Sequence, residues 1–200
     1  MIPVHTYSIV ARDPTTGELG VAVQSHYFSV GNVVPWAEAG IGVVATQSFL
    51  NLAYGPEGLG LMRAGWSAPE ALAELVRHDP EQDLRQVAMV DTAGNSAAHT
   101  GERCIAAAGH LVGDGYSVQA NIMVDRGVWL AMARAEQAAS GDLADRLVAA
   151  LEAAQAAGGD LRGQQSAALV TVAGAPPEWA GEGKRFDLRI EDHPTSLAEL

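Results

Sequence analysis

The stretch TYSIVARDPTTGELGVAVQS, Thr6 to Ser25, reads as one β-hairpin. Thr6, Ser8 and Val10 alternate with Tyr7, Ile9 and Ala11, so each set occupies one face of a first strand. Asp13-Pro14-Thr15-Thr16-Gly17-Glu18 supplies turn chemistry, and Leu19 to Ser25 is the return strand. The hydroxyls at the start of the first strand have two readings. They bond locally and favour extended backbone, or one of them is a nucleophile.

Working outward, Asn32 to Trp36 and Ile41 to Gln47 are further apolar stretches, split by Glu38-Ala39-Gly40. Four strands with short turns predict an antiparallel sheet. Pro56 to Ala64 is expected to be helical. Ser67-Ala68-Pro69-Glu70 has the spacing of a capping box, and Leu72, Leu75 and Val76 follow at helical intervals. Arg85 to Asp91 and Ser96 to Thr100 pair across Thr92-Ala93-Gly94-Asn95. Short strands are expected around Cys104 to Val112 and a longer one over Tyr116 to Val124. Helices are predicted over Val128 to Ala139 and Leu143 to Ala156, the second capped by Asp142 and stopped at Gly158-Gly159. Strands follow at Gln165 to Val172 and Arg185 to Ile190, and His193 to Leu200 resembles a helix start. Hairpins alternating with helix pairs predict an α+β fold of four αββα layers. Two packed antiparallel sheets would be flanked by helices within one domain spanning residues 1–200.

The 200 residues carry a net charge of −12, with Lys184 the single lysine. No basic cluster exists to meet phosphates, so neither nucleic acid nor an anionic membrane is an expected partner. One cysteine, Cys104, permits no intrachain disulfide or multi-thiol metal site. The histidines lack metal-ligand spacing, and no Gly-x-Ser-x-Gly elbow, phosphate loop or dinucleotide fingerprint is present. Neither a metal nor a cofactor is expected. Met1 to His5 lacks the basic start and long apolar run of a signal peptide, and a cytoplasmic protein is expected.

Several polar groups are candidates for chemistry, each with a plainer structural reading. Ser8 shares a face with Thr6 and could act with His26 as base, or could be a packed strand serine. Ser25 and His26 end the second strand, opposite the start of the first. Thr46, Gln47 and Ser48, with Asn51 and Tyr54, form the polar end of an apolar strand. They could hold a polar substrate or an oxyanion, or complete a strand-to-helix turn. Gln119 and Asn121 would present two amides on one face, for a ligand or for neighbouring backbone. In Gly158 to Ser166, Asp160 and Arg162 could pair while Gln165 and Ser166 open a strand. The glycines there allow close approach to a ligand, or merely end the helix.

The segments SIVARDPTTGELGVAV, VGNVVPWAEAGIGVVATQS, AYGPEGLGLM, AAHTGERC, YSVQANIM and AAGGDLRGQQSAALV occur in this order. Together they resemble the bacterial and archaeal family termed domain of unknown function 1028. That family is placed among the N-terminal-nucleophile hydrolases, and the resemblance implies their αββα fold and a tendency to self-associate. It also implies an amide or peptide-bond hydrolase acting on a small molecule or peptide. In that superfamily a first-residue Thr, Ser or Cys attacks the carbonyl, with its own α-amine as base. The matching residue is Thr6, which here follows five residues, and the strand lysine of proteasome subunits has no counterpart. Without a cut ahead of Thr6 that amine is unavailable. The alternatives are then an uncut serine or threonine hydrolase, or a non-catalytic binding module on the same fold.

Overall fold

The computed structural model describes residues 3–4, 6–179 and 182–200. His5 lies outside the described residues, as do Met1 and Ile2. The hairpin forms as its alternation requires, from β2 (Thr6–Arg12) and β3 (Leu19–Ser25), with β1 (Pro3–Val4) ahead of it. Asp13 organises the turn: its carboxylate accepts from the backbone N–H groups of Thr15 and Thr16 at 2.8 and 2.7 Å. β4 (Pro35–Glu38), β5 (Gly42–Phe49), α1 (Tyr54–Arg63) and α2 (Ala68–His78) come next. They are followed by β6 (Arg85–Asp91), β7 (Ser96–Thr100), β8 (Gly109–Gly113) and β9 (Tyr116–Ala120). The chain ends with α3 (Gly127–Ala138), α4 (Leu143–Ala156), β10 (Ser166–Val172) and β11 (Lys184–Ile190).

Two antiparallel sheets result. Sheet A runs β1-β5-β6-β7, with β4 on the same side of β5 as β1, and sheet B runs β11-β10-β3-β2-β9-β8. Between them lies an apolar layer that includes Val10, Val21, Val23, Val43, Ala45, Ala88, Val90 and Val170. These are every second residue of their strands, and β-branched side chains pack well on pleated surfaces. Helices α1 and α2 cover the outer face of sheet A through Leu59, Met62 and Leu72 against Val44, Val87 and Met89. Helices α3 and α4 cover sheet B through Val128, Met132, Leu147 and Leu151 against Tyr7, Ile9, Val118 and Leu169. The expected αββα sandwich is therefore the fold. Gly20 in β3 shows how tightly its layers meet, because a Cβ there would lie 2.5 Å from Leu147.

The helix ends follow their local signals. Glu70 accepts from the backbone N–H of Ser67 at 2.9 Å, closing the capping box, and Asp142 accepts from Asp145 N–H at 3.0 Å. Asp142→Ala is expected to lower unfolding free energy by about 1 kcal/mol in urea titration. An unchanged midpoint would show that the cap contributes nothing.

Four local expectations are corrected. Val30–Asn32 is a 3-10 turn and the strand starts only at Pro35, because Pro35 has no N–H to extend the ladder backwards. The region 104–108 is loop, so only Gly109–Gly113 survives of the strands predicted there. The strand expected to reach Val124 stops at Ala120, since Ile122 takes a left-handed conformation with φ 58°. The tail forms turns rather than a helix, with Ser196 and Leu197 buried in place. Among the described residues no helix is long and apolar enough to cross a membrane.

Candidate functional site

At one end of the sandwich the layer between the sheets changes from valine to amide and hydroxyl. The starts of β2, β6 and β10 and the ends of β3, β5 and β9 meet there. Period-two alternation sends Thr6 and Ser8, Ser25, Gln47, Gln86, Ser117 and Gln119 into this layer, and all are fully buried. Thr6 and Ser25 are register partners, and the Thr6 hydroxyl donates to Ser25 Oγ at 3.2 Å. Gln119 Nε2 donates to Ser8 Oγ at 2.7 Å, and Ser8 donates across the sheets to Gln47 Oε1 at 2.6 Å.

Gln86 is the hub. Its Oε1 accepts from Gln47 Nε2 at 2.7 Å and from Asn121 Nδ2 at 3.0 Å. Its Nε2 donates to Ala120 O at 2.9 Å, Gly109 O at 3.1 Å and Thr100 Oγ1 at 2.9 Å. Thr100 in turn meets Nδ1 of His110, which carries the network to the surface. The sequence reading missed Gln86 and Thr100. The available signal was a glutamine opening the apolar run Val87 to Val90. Such buried polar groups are favourable only when paired, and this cluster is almost entirely paired. The exception is Asn121 Oδ1, which has no partner among the described residues.

Thr6 is held at its backbone as well. Its carbonyl accepts from Asn121 N–H at 3.0 Å and from Gln47 Nε2 at 3.3 Å. Two residues ahead, Val4 pairs with Ser48 of sheet A, whereas Thr6 pairs with Ser25 of sheet B. Pairing therefore changes from sheet A at Val4 to sheet B at Thr6, and Val4 is buried in the intersheet core. Ser48 and Ile122, at the ends of β5 and β9, both have left-handed backbone, with φ of 68° and 58°. Strain at non-glycine residues persists only where the surroundings impose it. Here it flanks the polar layer on both sheets.

The pairing of Thr6 or Ser8 with His26 is not formed. Ser8 is bonded to two glutamines and Thr6 to Ser25, while Nδ1 of His26 is buried without a hydrogen-bond partner among the described residues. Strand alternation points residue 26 away from residue 25. The Gly158 to Ser166 segment joins loops at the same end. The Asp160–Arg162 ion pair forms at 2.7 Å, and Asp160 also accepts from His26 N–H at 3.3 Å. Burial and the nearby Asp160 charge push the Tyr7 phenol well above its ordinary range. Ser166 donates to Tyr27 O and accepts from Val30 N–H, closing the 26–30 loop. Gln165 donates to Asp192 at 3.1 Å.

The remaining candidates part company from Gln47. Thr46 lies on the helix side of β5, because neighbours in a strand face opposite ways, while the left-handed backbone at Ser48 breaks that alternation. Thr46 donates to Asn51 O at 3.3 Å, and Asn51 donates to Asp79 Oδ2 at 3.4 Å. Tyr54 is buried at the start of α1, its phenol pushed above its ordinary range by burial and by Asp79. Asn51, Tyr54, His78 and Asp79 line a cavity of about 170 Å³ against Pro80. Asp79 is tied to Arg85 at 2.8 Å, and Arg85 also donates to Phe49 O at 2.8 Å. Among the described residues no group of three potential metal ligands converges.

Fold and site together define an α+β sandwich with a buried amide–hydroxyl layer at one end and a strand-initiating threonine within it. The chain belongs to the family of unknown function DUF1028, whose model matches residues 6–200. It is 31% identical to protein SPO2555 from Silicibacter pomeroyi, also assigned to that family. The crystal structure of that protein superposes with a TM-score of 0.88, over 98% of this chain and 83% of the other. Anbu (ancestral beta-subunit) from Yersinia bercovieri superposes with a TM-score of 0.43 at 14% identity, over 94% and 89% of the two chains. None of the curated proteins matches.

Proposed function

We propose that this protein is an amide or peptide-bond hydrolase of N-terminal-nucleophile type, with Thr6 as nucleophile after the bond ahead of it is cut. The observation that carries this reading is the placement of Thr6. It opens a central strand, its hydroxyl is directed by Ser25, and its carbonyl is held by Asn121 and Gln47. Before the cut the Thr6 nitrogen is a peptide nitrogen and cannot act as base, and the side chain is buried. After it, the freed α-amine, ordinarily titrating near 8, takes the hydroxyl proton as Oγ1 attacks a carbonyl. Collapse of the tetrahedral adduct breaks the C–N bond and returns that proton to the leaving amine. Water then hydrolyses the threonyl ester. Of the strand-end candidates only Gln47 faces this layer, and to donate to a substrate oxygen it would have to exchange one of its bonds to Gln86 Oε1 or Thr6 O.

One observation favours the rival, a non-catalytic module on the same fold. The polar layer is so completely paired that it also reads as a structural core. Intact mass of purified protein separates the two. A species starting at Thr6, with amidase activity lost at least about a thousandfold in Thr6→Ala, is the expected result. Only full-length mass, or activity retained in that variant, overturns the proposal. Fluorophosphonate labelling lost in Ser8→Ala would instead mark an uncut serine hydrolase.

A further inference from the structure

β11 is the outer strand of sheet B, and its far edge is unpaired among the described residues. Every residue from Lys184 to Arg189 is exposed, including Phe186 and Leu188 at 42% each. The register with β10 aligns Phe186 with Thr171, Leu188 with Leu169 and Ile190 with Ala167. These three therefore continue the helix-covered face of sheet B beyond the reach of its helices. Lys184, Asp187 and Arg189 cluster instead, with Asp187 accepting from Lys184 at 2.6 Å and from Arg189 at 2.7 Å. An edge strand whose backbone groups are unpaired can take up another strand, and its side chains decide which strand is accepted.

The sequence KRFDLRIED, Lys184 to Asp192, is complementary to itself when run antiparallel about Leu188. Leu188 then faces Leu188 of the second copy, Asp187 faces Arg189, and Phe186 faces Ile190. Arg185–Glu191 and Lys184–Asp192 continue the complementarity in sequence only, because β11 ends at Ile190 and its register with β10 shifts between Lys184 and Phe186. Shifting the axis one residue to Asp187 opposes two aspartates and sets Arg185 against Arg189. Shifting it to Arg189 opposes two arginines and sets Asp187 against Glu191. Opposite charges across strands stabilise pairing and like charges directly opposite destabilise it, so the Leu188 axis is favoured over both of its immediate neighbours.

We propose that β11 is a homodimer interface, at which two copies pair antiparallel about Leu188 and join their sheets B into one continuous sheet. The symmetry is closed and isologous, so assembly stops at two. This inference is independent of the chemistry proposed for Thr6.

Sedimentation velocity at micromolar concentration tests it. The wild-type protein is expected at about twice the 20.8 kDa chain mass. Arg189→Asp places two aspartates opposite each other on both sides of the axis and should weaken dimerisation about tenfold or more. The swap Asp187→Arg with Arg189→Asp restores both opposite-charge pairs and should restore the dimer. A monomeric wild type, or a dimer indifferent to Arg189→Asp, overturns the proposal. Register is read separately, from single cysteines introduced on a Cys104→Ser background. Leu188→Cys should oxidise to a disulfide-linked dimer, since directly opposite Cα atoms fall within disulfide range. Phe186→Cys should not. Cross-linking at position 186 but not 188 overturns the assigned axis, even if a charge variant fails to fold.

Discussion

Gln86→Leu is expected to lower unfolding free energy by about 3–4 kcal/mol, and to reduce the melting temperature by roughly 10 °C in a chain of this length. The change keeps much of the side-chain volume, so the loss reports hydrogen bonding rather than a cavity. Leucine offers nothing to Ala120 O, Gly109 O or Thr100 Oγ1, which Gln86 Nε2 now serves. It also removes the acceptor of Asn121 Nδ2 and the best-placed acceptor of Gln47 Nε2. An unsatisfied buried polar group costs about 1–3 kcal/mol, and some of these groups keep second partners. Gln47 Nε2, for instance, still reaches Thr6 O. Thermal unfolding by circular dichroism measures the effect. A loss under about 1 kcal/mol would mean that water serves the orphaned groups and that the layer is less closed than its burial indicates.

Arg85→Met is expected to remove about 3 kcal/mol at neutral pH, because it strands a buried carboxylate. The Asp79 side chain is 7% exposed and that of Arg85 4%. Burial alone would push the Asp79 carboxyl up. Hydrogen bonds from Arg85, the Glu81 backbone N–H and Asn51, with the Arg85 charge, outweigh it and hold the group below its ordinary value. A carboxyl depressed in the folded state contributes stability above its unfolded pKa and loses it as pH falls through the folded value. In Arg85→Met the carboxyl lacks its cation and takes up a proton at higher pH, which relieves the buried charge. The gap between wild type and variant should therefore narrow below about pH 4. Urea titrations at neutral and acidic pH measure it. A gap of constant size would show that Arg85 acts by packing alone.

Most of the fold was legible because its signals are local. The period-two run Thr6 to Ala11, the Asp13 turn, the Ser67 and Asp142 caps and the Gly158-Gly159 stop each act within a few residues. Errors fell where a local preference met a distant constraint. Tyr116 to Val124 has strand composition throughout, yet the ladder ends at Ala120, where β2 also begins. Beyond it, Asn121 turns its amide to Gln86 and Ile122 takes up the strain. The tail has a helix start in its sequence, but Leu197 N–H is taken by Gln164 Oε1, thirty-three residues back.

The candidate site was legible in its members and not in its grouping. Thr6, Ser8, Ser25, Gln47, Gln119 and Asn121 meet in one buried layer. Thr46, Asn51 and Tyr54, close in sequence to Gln47, belong to the other face of sheet A. Alternation in the sequence determined which residues share a face; that the face carrying these hydroxyls and amides is sealed between the sheets was decided by the packing of the two sheets. Which amide meets which was decided only by tertiary structure. The Gln47–Gln86 bond joins residues thirty-nine positions apart, and the Ser8–Gln47 bond joins two different sheets. Such pairings depend on strand register and on how the two sheets are superposed, and no local pattern along the chain encodes either.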